Sequence, residues 1–241
     1  MPGMRRTWPA VAAVAVFLAA TPAHAGLLTV LPVTLQMAPG QSVATLTLIN
    51  DDSVETAIQV RVFAWTQGDK TERLVPTDDV MISPPLATIA PRAAQIVRLA
   101  LRRPPQGAEA SFRILVDQIP PPAAPGTVRM ALRLSIPVFA EPATRIAARL
   151  KYHVETRGNE SWLVAVNEGT RHEKLREITL IAADGRGIAP AANQSPYVLP
   201  GAERRWPLNV SPGAATIAGP LRLVAKGDTG AIDAAVDVGK P

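Results

Sequence analysis

The chain has 241 residues, 47% hydrophobic and 19% charged, a composition that folds into a globular core rather than staying disordered. It has no Cys and only 3 His, which excludes thiol nucleophiles, thiolate metal sites and a disulfide framework, and leaves metal binding and histidine acid–base chemistry poorly supplied. The formal charge is +5, falling to +3 once the two Arg of a targeting segment at the start are removed, which is too weak to argue for nucleic acid, and aromatics at 4% leave the core to Val, Ile, Leu and Ala.

The first 25 residues read as a cleaved targeting segment. Arg5 and Arg6 give the positive start, Val11 to Ala20 is a short apolar run, and Ala23-His24-Ala25 is a small-x-small cleavage site. The run is too short for a spanning helix, and no other apolar segment is long enough to span. Removing 25 of 241 residues would leave 216, beginning at Gly26; losing two Arg would lower the charge from +5 to +3. The expectation is an exported protein, located in the periplasm of a two-membrane bacterium.

Seven strand-like segments follow. They are Leu28 to Met37, Ala44 to Ile49, Ala57 to Trp65, Val80 to Ile82, Ala94 to Leu101, Ser111 to Ile119 and Val128 to Phe139. Turn signals recur about every ten residues, the spacing of an all-β sandwich, and no stretch keeps a helical period with caps. Near Glu141-Pro142-Ala143-Thr144 a second series begins: Ile146 to Glu155, Trp162 to Asn167, Glu177 to Ala182, Arg204 to Val210, Leu221 to Ala225 and Ala231 to Val238. The reading is all-β, with two sandwiches over 26–142 and 143–241. A single large barrel is the structural alternative.

Val128 to Ile136 is the most regular alternation in the chain. Val128, Met130, Leu132, Leu134 and Ile136 share one face; Arg129, Ala131, Arg133 and Ser135 share the other. As a seventh strand it is expected at or near a sheet edge. An edge with an apolar row is a pairing hazard that proteins usually blunt with charge or proline. Here Pro137 comes only at its end. Two readings stay open: an ordinary core strand, or a strand offered to another protein's incomplete sheet.

Other groups carry less. His153 and His172 read as surface residues, and Asp51-Asp52 and Asp78-Asp79 as turn acids. No Gly-x-Ser-x-Gly elbow, phosphate loop or dinucleotide fingerprint is present, so the chain reads as no enzyme, with no cofactor and no metal site. Trp65, Trp162 and Trp206 are either core residues or a sugar platform.

Four stretches together resemble the periplasmic pilus (fimbrial) chaperones of chaperone–usher systems, in the form of their archaic or alternative branch. They are Ala44 to Asn50; Ile82-Ser83-Pro84-Pro85 with Ile89-Ala90-Pro91 and Gln95 to Leu99; Glu109 to Pro121; and Met130 to Pro142. The resemblance implies two immunoglobulin-like β-sandwich domains set at an angle. It implies that the seventh strand completes a pilus subunit lacking its own last strand, without ATP, and that subunits pass to an outer-membrane usher. Val128, Met130, Leu132, Leu134 and Ile136 match the donor row. Burying each is worth about 1.5–3 kcal/mol.

The resemblance also implies departures. Thr34 and Pro137 stand where better-known members carry a basic pair that anchors the subunit's terminal carboxylate, so the anchor must move. Arg113 is the candidate, expected near Leu134 across the hairpin, unless it pairs locally with Glu109 or Glu141; Arg98 is the weaker candidate. Glu109 and Asp228 match an interdomain acid–base–acid cluster, with Glu141 where its central base would be and Arg145 as a substitute. Pilus subunits and an usher are the implied partners, with a self-capping dimer open for the free protein. The competing reading is a two-domain exported adhesin or pilus structural component. A carbohydrate-binding or hydrolytic sandwich would need clustered aromatics or a close carboxylate pair.

Overall fold

The computed structural model describes residues 28–68, 71–122, 126, 130–144, 146–158, 160–191, 195–209 and 219–238. The expected targeting segment, Val128 and Arg145 lie outside them.

The first unit holds ten strands: β1 (Leu28–Leu31), β2 (Leu35–Met37), β3 (Val43–Asn50), β4 (Thr56–Gly68), β5 (Thr71–Pro76), β6 (Val80–Ser83), β7 (Leu86–Ile89), β8 (Ala94–Leu101), β9 (Ala110–Ile119) and β10 (Arg133–Ala140). One sheet runs β1-β3-β8-β6 and the other β2-β10-β9-β4-β5, with β7 pairing on β4. The inner faces supply one core, including Leu46, Leu48, Ile58, Val97, Ile114 and Val138. Period-two alternation builds it. In β3, Ala44, Leu46 and Leu48 are buried between threonines, and the strand ends at Asn50. The Asn50 amide donates to the carbonyls of Val54 (2.8 Å) and Ile89 (3.0 Å), which satisfies a buried polar group and pins the turn.

The segment expected as one strand from Leu28 to Met37 is two. β1 pairs with β3 in one sheet and β2 runs parallel to β10 in the other. Pro32 lies in the crossing, where a residue without N–H costs no ladder bond. β5 and β7 were not legible as strands. All six residues of β5 are exposed, so it carries no alternation.

The second unit holds β11 (Leu150–Arg157), β12 (Glu160–Asn167), β13 (Glu173–Lys174), β14 (Arg176–Ala182), β15 (Gly187–Ile188), β16 (Tyr197–Val198), β17 (Glu203–Pro207), β18 (Leu221–Lys226) and β19 (Ala231–Val238). The order β15-β14-β18-β19-β11-β12-β17 forms one hydrogen-bonded path, and β13-β16 is a separate ribbon. Val154 and Leu163 from one arm of that path share a core with Leu180 and Leu223 from the other, so the sheet faces itself across its own interior. The chain is thus all-β with two immunoglobulin-like units, each with its own core. Trp206 is buried in the second core and Trp65 in a small third cluster between the units, which answers the sugar-platform alternative for both.

Candidate functional site

β10 is the expected alternating strand, displaced toward its C-terminal end. It pairs antiparallel with β9 from Arg133↔Asp117 to Ala140↔Ala110, and the Gln118 N–H extends the ladder to the Leu132 carbonyl at 2.9 Å. On its other side β2 pairs only with Val138, Phe139 and Ala140. Residues 133–137 therefore have no strand partner on that side among the described residues. The apolar row grades along the same line. Met130 is 91% exposed, Leu132 38%, Leu134 half-buried against the core, and Ile136 only 4% exposed. Ile136 is part of the first unit's own core, because its rung lies beside the stretch that β2 covers.

The other face of the same sheet turns toward the second unit, where Trp65 and Phe139 meet Tyr197. Arg113 pairs across the ladder with Pro137 on one side and Phe63 on the other. The expected neighbour, Leu134, pairs instead with Val116, a register difference of three residues set by where the hairpin arms begin. Leu35 pairs with Val138, which puts Thr34 level with Pro137. Arg113 thus lies one strand over from Pro137 and two from Thr34, the positions at which better-known members were expected to carry a basic pair. Its guanidinium sits 3.7 Å above the Trp65 ring and 5.7 Å from the Tyr197 ring centroid. It makes no hydrogen bond or ion pair with another described residue. Burial pushes it below its ordinary value, against the pull of Glu72 and Tyr197. The local pairing with Glu109 or Glu141 does not form, since both carboxylates are engaged elsewhere. Arg98 is exposed on β8, in the other sheet, opposite Thr45 and Ser83. It has no place beside these rings.

Two groups join the units. Trp65 and Phe139 from the first pack with Tyr197, Leu199 and Ala202 from the second, with ring centroids 5.5–5.9 Å apart. Beside them, the Gln67 amide donates to the Tyr197 carbonyl and accepts from the Leu199 N–H, both at 2.9 Å. A side chain of one unit thereby acts as an extra strand rung for the other.

The second group corrects two expectations. His172 is not a surface residue: its side chain is 3% exposed and stacks on Phe139 with ring centroids 3.5 Å apart. Its Nδ1 lies 2.7 Å from Glu109 and its Nε2 3.4 Å from Asp228. The acid–base–acid cluster is therefore Glu109–His172–Asp228, with the base drawn from the second unit. Glu141 is not its centre; Glu141 accepts from the Gln36 amide at 2.7 Å and lies 3.8 Å from Arg171. Arg145 lies outside the described residues. Glu109 is fully buried, and it also accepts the His172 N–H at 3.3 Å while its own N–H donates to Thr170 at 2.9 Å.

Sequence reasoning missed Gln67, Glu72, Tyr197 and Arg204. Arg204 has one readable signal. Alternation puts it on the same side of β17 as buried Trp206, so it could not be a solvent arginine like those of a turn.

Residues 28–145 match the family model described as pili and flagellar-assembly chaperone, PapD N-terminal domain. The first unit belongs to the pilus-chaperone family. Solved pilus-chaperone structures share its fold across both units. A chain of the CsuC–CsuE chaperone–tip subunit pre-assembly complex from the archaic Csu pili of Acinetobacter baumannii aligns at 18% identity and TM-score 0.68, covering 89% of this chain and all of that one. The E. coli chaperone DraB aligns at 21% identity and 0.57, covering 89% and 97%. The Salmonella enterica complex of the SafA pilin with the SafB chaperone aligns at 17% and 0.59, covering 87% and 93%. No curated protein matches the sequence significantly. Membership fits the geometry: both units are built from strands, and among the described residues no helix is long and apolar enough to cross a membrane.

Proposed function

We propose that this protein is a periplasmic chaperone of the archaic chaperone–usher branch. It caps pilus subunits by lending them the open half of β10 and hands them to an outer-membrane usher, without ATP. The observation that carries the reading is the gradient along that strand. Its C-terminal half is paired on both sides and buried, while Leu132 and Met130 extend from it as exposed apolar residues beside an unpaired edge. A rigid strand with free ladder groups and an apolar row is what an incomplete sheet lacks. Leu134, Leu132, Met130 and, upstream, Val128 are the donor row.

Arg113 is the carboxylate anchor in this reading. It is desolvated, uncommitted and beside Pro137, so a subunit terminus running along the open edge reaches a guanidinium that forms bidentate bonds. Without a client, the same edge offers its free groups to a second copy, so a self-capping dimer is the form expected of the free protein.

The test is periplasmic co-expression with pilus subunits encoded nearby, comparing wild type with Leu132→Glu. A one-to-one complex with wild type only supports strand donation. A complex with neither form removes the chaperone reading in favour of the adhesin. An unfolded variant would return Leu132 to the core and end the donor reading.

A further inference from the structure

Adjacent arginines on β17 are treated differently by the fold. Arg205 is saturated, with Glu155 at 2.6 and 3.0 Å and Glu203 at 2.6 Å. Arg204 points to the other side, toward Glu72 of the first unit. Its side chain is 13% exposed, its Nε is buried with no hydrogen-bond partner, and its one ion pair is with Glu72 at 3.5 Å. That is well beyond the usual 2.7–2.9 Å of a charge-assisted bond. Leaving such a donor buried and unpaired is unfavourable. The first unit repeats the contrast. Arg61 reaches Asp117 at 2.7 Å, although its Nε too is buried without a partner, whereas Arg113 has only the rings of Trp65 and Tyr197.

The two under-coordinated guanidinia share one neighbourhood. Gln67 contacts the backbone of Tyr197, whose ring is 5.7 Å from Arg113; the same amide is 3.3 Å from Glu72, which faces Arg204. Glu72 is held weakly. It sits on β5, an outer strand with every residue exposed, and its one engaged oxygen, Oε1, has both contacts at 3.3 Å or more. Its side chain is 28% exposed, which leaves it a route to solvent when displaced.

We infer that Arg113 and Arg204 form a carboxylate clamp with one arginine from each unit, and that Glu72 occupies it in the free protein as an internal stand-in for a peptide's terminal carboxylate. The inference rests on the anchor reading of Arg113 and adds a second arginine and a built-in competitor. An arriving terminus displaces Glu72, satisfies the orphaned Nε of Arg204 and bridges the units. Binding therefore brings both arginines onto the client's end, and an amidated end has nothing to offer.

The test follows the Arg113 and Arg204 Nε–H resonances by nitrogen-15 NMR, assigned with R113K and R204K. The full-length mature protein is titrated with N-acetylglycine and, as control, N-acetylglycinamide. Both resonances are expected to move with the acid and not the amide. Glu72→Gln should bind the acid about fivefold tighter, the gain when a competitor holding a site four-fifths of the time is removed. Arg204→Gln should abolish that gain, with a thermal melt verifying its fold. Unchanged affinity in Glu72→Gln overturns the stand-in. Movement of Arg113 alone overturns the clamp but leaves the anchor reading intact. No movement of either resonance, even in Glu72→Gln, overturns both.

Discussion

The two halves of β10 make different use of one alternating pattern. From Val138 to Ala140 the strand has neighbours on both sides, and from Ile136 onward its inward residues lie in the first unit's core. From Met130 to Leu134 it has one neighbour at most, and its apolar residues emerge progressively into solvent. The difference is made by β2, a three-residue strand that stops short. A covered strand and an open one therefore need no different sequence. They need a different length of covering strand, and the buried half holds the open half at a fixed angle and twist.

The sharpest way to break this comparison is a charge on each half. Ile136→Asp should destabilise the first unit by about 4 kcal/mol or more, because an unpaired carboxylate enters a packed core. Leu132→Glu should leave the melting temperature within a few degrees and abolish client capture. Circular dichroism melts with co-purification separate the two; equal loss of fold would erase the distinction between the halves. The joint between the units comes next. His172→Ala leaves fully buried Glu109 without its closest partner and should cost about 3 kcal/mol in urea unfolding. Trp65, in the joint cluster, provides the fluorescence signal.

A smaller effect on fold but not on binding is expected at the anchor. Arg113→Gln should change stability by less than about 1 kcal/mol, since only a ring contact is lost, while client capture weakens about tenfold or more. The smallest effect concerns Asp117, beside the open edge. Burial raises its carboxyl, but hydrogen bonds from Arg133 and Arg61 outweigh that and hold it below its ordinary value. A depressed acid stabilises above its unfolded value of about 3.9 and loses that contribution as pH falls through the lower folded value. Asp117→Asn should therefore melt slightly below wild type at pH 7, with the two curves meeting near pH 2.

The strands with one buried and one open face were legible because alternation records burial directly. β19 runs from Ala231 to Val238, as its pattern predicts. The site was legible only where it depends on that same alternation. Arg113 was recognised as a candidate anchor, but its register slipped by three, since periodicity fixes a face and not a rung. His172 was misread for a different reason. Its partners are Glu109, 63 positions upstream, and Asp228, in the turn before β19, and no local pattern announces a histidine buried by another domain. Arg204 hid in a charged run, Glu203-Arg204-Arg205, although its neighbour Trp206 betrayed which side faced inward.

The Gln67 amide that joins the units takes both of its partners from the backbone. Neither partner depends on which side chain stands at position 197 or 199. The side chains around it can therefore change residue by residue while this bond remains. Carrying no net charge, it also loses little to salt, so the joint between the units is held while the surfaces beside it are free to diverge.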